Sequence, residues 1–126
     1  MTAERCPCGT GLTYAECCGP FHQGGRAPTA EHLMRSRFSA FALGDTDYLL
    51  HTWHATTRPS QLELDPEVGW YRLDVLHTER GTLTDTTGVV EFRAHYRGPS
   101  GRGAMHEVSR FVREAGVWLY LDGTTT

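Results

Sequence analysis

The sequence predicts an α+β domain with a metal-binding segment at its front. Three observations carry this. All four cysteines are Cys6, Cys8, Cys17 and Cys18; apolar residues then recur at helical spacing up to about residue 53; from Trp70 onward the period changes to two. Helices followed by strands, rather than alternating with them, give an α+β arrangement with helices packed across one face of a curved antiparallel sheet.

The cysteines come first in the chain. Met1-Thr2-Ala3-Glu4-Arg5 leads straight into them with no apolar segment of signal-peptide type, so a cytoplasmic, reducing location is the expectation. Cys17 and Cys18 are adjacent, and two crossed disulfides in so short a stretch are strained. Zinc instead asks for four soft donors at the corners of a tetrahedron. Cys6-Pro7-Cys8 offers two from a stiff turn, Gly9 and Gly11 let the chain reverse, and Cys17 and Cys18 complete the set. Four protein ligands leave no open coordination position, so the expected Zn²⁺ is structural. A labile redox pair is the competing reading. His22 is the one nearby residue able to replace a cysteine.

Gly19 to Pro28 is rich in glycine and proline and reads as a connector. Thr29 fits a helix N-cap, with Glu31 in the first turn and Leu33, Met34, Phe38 and Phe41 on one face. Gly44 stops that helix. A second begins at Asp45 and presents Leu49, Leu50 and Trp53. Trp70–Leu76 reads as the first strand. Val90, Phe92, Ala94 and Tyr96 alternate with polar residues along the second, Gly98-Pro99-Ser100-Gly101 turns the chain, and Ala104–Arg113 returns. A last strand follows at Val117–Leu121.

The run from Cys6 to Gly19 resembles the SEC-C motif, a zinc knuckle of the form C-x-C-x8-C-[HC] best known from the C-terminus of the SecA translocation ATPase. The resemblance implies metal-ligand roles for the four cysteines and, by analogy, a protein-docking surface on the knuckle. The blocks His32–Phe41, Asp47–Leu49 with Thr52–His54, Glu107–Phe111 and Trp118–Gly123 are similar to the YchJ family. That similarity implies a knuckle over residues 1–24. Over residues 25–126 it implies a cone-shaped domain like nuclear transport factor 2 (NTF2), a cystatin-like fold with an internal pocket. Many members carry a second knuckle at the C-terminus, which this chain, ending at Asp122-Gly-Thr-Thr-Thr126, does not show. The resemblance carries a fold and metal ligands, not a reaction.

Within that cone, Glu107, Ser109 and Phe111 share one strand face, and Phe111 marks it as the concave side. Glu107 is then a carboxylate in an apolar setting, suited to acid–base work. Arg35, Arg37 and His54 are its candidate partners, and Arg35, Trp53, His54, Glu107 and Ser109 form the expected pocket. The competing reading is a buried Glu–Arg pair that fixes helix to sheet. His95 and His106 make only a weak two-ligand site. A net charge of −3, with Arg5 and Arg26 the cations near the cysteines, argues against nucleic-acid binding. No apolar run reaches the ~20 residues needed to span a bilayer. Three function classes follow in order of preference. They are a zinc-stabilised binding or adaptor module for a protein or small molecule, a pocket enzyme of hydrolase, isomerase or dehydratase type, and a nucleic-acid binder. A homodimer through the exposed sheet face is also compatible with this fold class.

Overall fold

The computed structural model describes residues 4–125. The start of the segment read above as lacking an apolar leader, Met1–Ala3, and the last residue of the C-terminal run, Thr126, lie outside them. Among the described residues the order is a 3₁₀ turn at Tyr14–Glu16, helices α1 (Gly19–His22), α2 (Ala30–Leu43) and α3 (Thr46–His51), then strands β1 (Gly69–Arg80), β2 (Thr87–Gly98), β3 (Gly101–Glu114) and β4 (Val117–Thr125). The strands form one antiparallel sheet in sequence order.

The caps are those the residue types demand. Thr29 Oγ1 accepts from the His32 backbone N–H and opens α2, and Gly44 closes it in the left-handed region at φ 77°. Asp45 caps α3 by accepting from the Tyr48 N–H. The stretch read as a connector from Gly19 contains the one-turn helix α1. Pro20 sits in its first turn, where its missing N–H removes nothing.

Alternation along β2 and β3 faces Val90, Phe92, Ala94, Ser109 and Phe111 inward, all buried. Three irregularities then bend and re-aim the sheet. Two lie in β1, between Trp70 and Arg72 and between Val75 and His77. The third is on β4, where Arg110 pairs with Asp122 but Phe111 pairs with Tyr120. This extra residue, Leu121, lets Trp118, Tyr120 and Gly123 all face the concave side, which regular alternation forbids. After α3 the backbone runs beside β4: Tyr120 N–H donates to Thr52 O (2.8 Å) and His54 N–H to Tyr120 O (2.7 Å).

Helix α2 lies across the sheet's concave face. Its start is pinned by Ala30 N–H to Gly81 O at 2.9 Å, and Ala30, Gly81 and Gly88 meet too closely for a side chain at either glycine. Gly88→Ala places a methyl 2.7 Å from Gly81 Cα and 2.9 Å from Ala30 Cβ. It is expected to cost about 1–3 kcal/mol, read as a lower urea midpoint at unchanged slope; an unchanged midpoint refutes this contact as a packing constraint.

Candidate functional site

Two sites are built on opposite faces of α2. The first is the cysteine loop. Arg5 and Thr13 bridge as a miniature hairpin, with Cys6 N–H donating to Leu12 O at 2.9 Å. Gly9 and Gly11, at φ 85° and 88°, make the reversal that residues with a Cβ resist. Tyr14 packs over Gly19, where a Cβ would lie 2.8 Å from Tyr14 O and 3.2 Å from the ring. The aromatic residue and the closing glycine of the motif are thus one contact.

The four sulfur atoms lie within 4.8 Å of one another, with Cys8–Cys17 at 3.6 Å and Cys17–Cys18 at 3.9 Å. A disulfide needs about 2.05 Å. A tetrahedral ion held at about 2.3 Å, the usual zinc–thiolate length, needs sulfur edges of about 3.8 Å. All four thiols are free, and their spacing fits the ion. Cys6, Cys8 and Cys18 are buried and Cys17 is half-buried. Thr10 Oγ1 reaches Cys17 Sγ at 3.2 Å. With no ion present, a hydrogen bond from Cys18 draws the Cys8 thiol down to about 4, and the same pairing together with burial pushes Cys18 well up. Four such thiols could hold a cation, which would compete with protons for them.

His22 is not a ligand. Its Nε2 lies 2.8 Å from Ser36 O, so Nε2 carries the proton and donates; Nδ1 therefore accepts from Tyr14 OH at 2.6 Å. Arg35 belongs to this side as well. Its Nη1 donates to Cys8 O at 2.9 Å and its Nε to Glu31 at 3.0 Å.

The second site is a cavity of about 260 Å³ between α2 and the sheet. Of the residues named for a pocket, Trp53, Glu107 and Ser109 line it and Arg35 and His54 do not. The corrections have simple causes. Arg37, two residues along α2 from Arg35, is the arginine turned to the cavity, because a helix rotates about 100° per residue. At the β4 edge, Trp53 turns in and His54 turns out, to Glu114 (2.8 Å) and Thr56 (2.7 Å). Tyr120, on the same face of β4 as Trp118, is one of the wall residues absent from the expected pocket, with Trp70, Phe92 and Met105. His95 and His106 do not face each other: they sit on different rungs and bond Asp74 (2.9 Å) and Glu91 (2.6 Å).

Arg37 is 3% exposed. Its Nη1 donates to Leu49 O (2.8 Å) and to Thr52 Oγ1 (2.7 Å), and its Cζ lies 4.5 Å from the Tyr120 ring centroid and 5.3 Å from that of Trp53. Burial lowers its pKa to about 10, so it remains a cation at neutral pH. Burial, with the nearby Glu107 charge, raises Tyr120 to about 12, which keeps that phenol neutral. Glu107 Oε2 accepts from Ser109 Oγ at 2.5 Å. The Glu107 carboxylate rests over Gly123, where a Cβ would come within 2.7 Å of its Cδ. Arg37 and Glu107 feel each other's charge but form no salt bridge; none involving either is present among the described residues. The expected buried Glu–Arg clamp is therefore absent there.

A metal-type cysteine knuckle fused to an α+β cone defines the class: SEC-C-bearing proteins with an NTF2-like domain. Comparisons agree. The middle NTF2-like domain of YchJ matches residues 29–123 and the SEC-C motif matches residues 3–20. A UPF0225 protein of Streptomyces coelicolor is 53% identical over 98% of this chain and 97% of its own length, and one of Corynebacterium glutamicum is 54% identical over 95% and 96%. The solution structure of a SEC-C motif containing protein from Rhodopseudomonas palustris superposes at a TM-score of 0.82, with 33% identity over 96% of this chain and 98% of that one. A crystal structure of a SEC-C motif containing protein from Psychrobacter arcticus gives 0.77, with 34% identity over 96% and 82%. The chain belongs to the YchJ-like UPF0225 family. No helix among the described residues is long and apolar enough to cross a membrane.

Arg35→Met removes the bond to Cys8 O while keeping the helix former and its aliphatic stem. Affinity for a thiophilic ion, measured by competition with a chromophoric chelator, is expected to fall about 10-fold with far-UV dichroism unchanged. Equal affinity in the two proteins overturns the role given to that bond.

Proposed function

We propose that the protein is a zinc-stabilised module that binds a small molecule in its cone, with the ion structural. The observation that carries the metal half is the sulfur cluster: four free thiols within 4.8 Å of one another, two of their separations at 3.6 and 3.9 Å beside the edge of about 3.8 Å that zinc requires, with three of them in the core. Zinc is preferred over other ions because four thiolates in a closed tetrahedron suit it and a redox-inert ion needs no access. The proposal takes the compartment to be reducing, as in the cytoplasm, since thiols this close oxidise once the metal is lost.

The cavity supports the other half. It is open but carries aromatic walls, Phe38, Phe41, Trp53 and Trp70, and no histidine lines it. A small-molecule site of this kind has an apolar lining and a few placed polar groups. Cys6, Cys8 and Cys18 are buried against α2 while Gly9 to Leu12, Ala15 and Glu16 stay exposed; the cavity is preferred over docking on that surface because its apolar lining surrounds two placed charges, Arg37 and Glu107. A second reading, a pocket enzyme with Glu107 as acid–base, rests on the Ser109-held carboxylate in that cavity. The partners expected for it are out of place: Arg35 and His54 lie elsewhere and Arg37 stays charged.

Elemental analysis of freshly purified protein is expected to return about one zinc per chain, with all four thiols silent to a disulfide-exchange reagent until denaturation. Metal-free protein with reactive thiols overturns the structural ion and makes redox chemistry at the four cysteines the leading reading. Because the cysteines share the core with Leu33 and Met34, stripping the ion by chelation under reducing conditions is expected to lower the melting temperature of the whole domain by roughly 5–10 °C. A single transition that does not move shows that the ion contributes nothing to the fold.

A further inference from the structure

The cavity holds two opposite charges that do not touch. Arg37 uses Nη1 for both of its hydrogen bonds, to Leu49 O and Thr52 Oγ1; its Nε and Nη2 N–H groups have no acceptor among the described residues. Its ring contacts with Trp53 and Tyr120 hold the guanidinium in place without satisfying those donors. Trp53, in the same wall, has its indole N–H buried behind the cavity surface and without a partner, which makes it a reporter on that wall and not a donor open to a ligand. Glu107 spends one oxygen on Ser109 Oγ, and the other is not engaged by any described side chain. One wall therefore offers donors and the other an acceptor, with apolar surface from Phe38, Phe92 and Met105 around them.

Charges in such a place restrict what can enter. A net anion would face Glu107, and a net cation would face Arg37, each in a medium where an uncompensated charge is expensive. A neutral molecule with a carbonyl-type acceptor at one end and an N–H donor beside it satisfies both walls. The volume of about 260 Å³ limits it to roughly one or two rings. Resting on the small-molecule reading of the cone, we infer that the ligand is a small, planar, uncharged amide-like molecule whose acceptor meets Arg37 and whose donor meets Glu107.

The test uses the full zinc-loaded chain and three probes of one shape: benzamide, benzoate and benzylamine. Nitrogen–proton correlation spectra follow the Trp53 indole N–H during titration. Benzamide is expected to shift that resonance with an affinity at least 10-fold above the other two. Glu107→Gln, whose amide oxygen can still accept from Ser109, removes the negative charge and should turn the preference to benzoate. Met105→Phe fills the cavity from its wall and should abolish all three shifts. Benzoate or benzylamine equal to benzamide, or a preference untouched in Glu107→Gln, overturns the charge assignment and leaves the small-molecule reading standing. No binding by any probe, or shifts that persist in Met105→Phe, overturns the inference and the cone-binding half of the function together.

Discussion

Everything in this molecule depends on α2 being buried on nearly all sides. A surface helix shows one apolar stripe and a polar back. This helix instead hides Ser36 and Ser39 at 0% exposure and Arg37 at 3%, alongside Leu33, Met34 and Phe38. Each hidden polar group must then find a partner. Ser36 Oγ donates to Leu33 O (2.8 Å) and accepts from Tyr48 OH (2.7 Å), and Ser39 Oγ meets Cys6 Sγ at 3.4 Å. The helix can lie there only because the knuckle covers one side and the sheet the other. The cysteine loop is thus not an appendage: it forms one wall of the core, and the same rigid rod carries the cavity's arginine.

The two-sided packing explains what was legible in the sequence and what was not. Elements with local causes were readable. Thr29, Gly44 and Asp45 act as caps by their own chemistry, and the period-two run from Val90 to Tyr96 needs no tertiary information. The gathering of the four cysteines was readable for the same reason, since their spacing and turn glycines are local. What failed was orientation. An arginine at 35 and one at 37 are equally good helix residues, and only the position of the knuckle decides that the first bonds Cys8 O and the second enters the cavity. At 53 and 54 the deciding fact is a backbone pairing with Tyr120 across a long separation. The turn Gly19–His22 was hidden by two residues usually read as breakers, although proline in a first helical turn breaks nothing.

The β4 bulge belongs to the same class. Its one extra residue decides that Tyr120 and Trp118 face inward together with Gly123. Tyr120 then stacks on Arg37, Trp118 N–H reaches Pro28 O at 3.2 Å, and Gly123 leaves room for Glu107. A single insertion in register therefore puts a wall residue of the cavity, the contact to the chain leading into α2 and the place for a carboxylate on one face. No residue type in β4 announces this, because bulges are set by how strands pair and not by the composition of either one.

Arg37 is where structure and function part company. A cation at this depth is costly even when paired, and apolar replacement of buried ion pairs is often neutral or stabilising. Here no carboxylate pairs with it directly; two bonds from one nitrogen and two aromatic faces are its compensation. Those contacts hold the guanidinium still, and immobility is of little use to folding once Leu49 O and Thr52 are satisfied. A leucine at 37 would avoid the desolvation cost but would leave Leu49 O and Thr52 Oγ1 without the donor that Nη1 supplies. An immobile cation at the edge of a cavity, with a carboxylate across from it and space between, is instead the arrangement that recognition requires: donors ordered before the ligand arrives, so that binding need not order them. The structural economy of α2 accounts for its serines. Of its arginine it accounts for one nitrogen, the Nη1 that serves Leu49 O and Thr52, and the donors left over on Nε and Nη2 are the strongest reason to treat the cavity as a site and not as a packing defect.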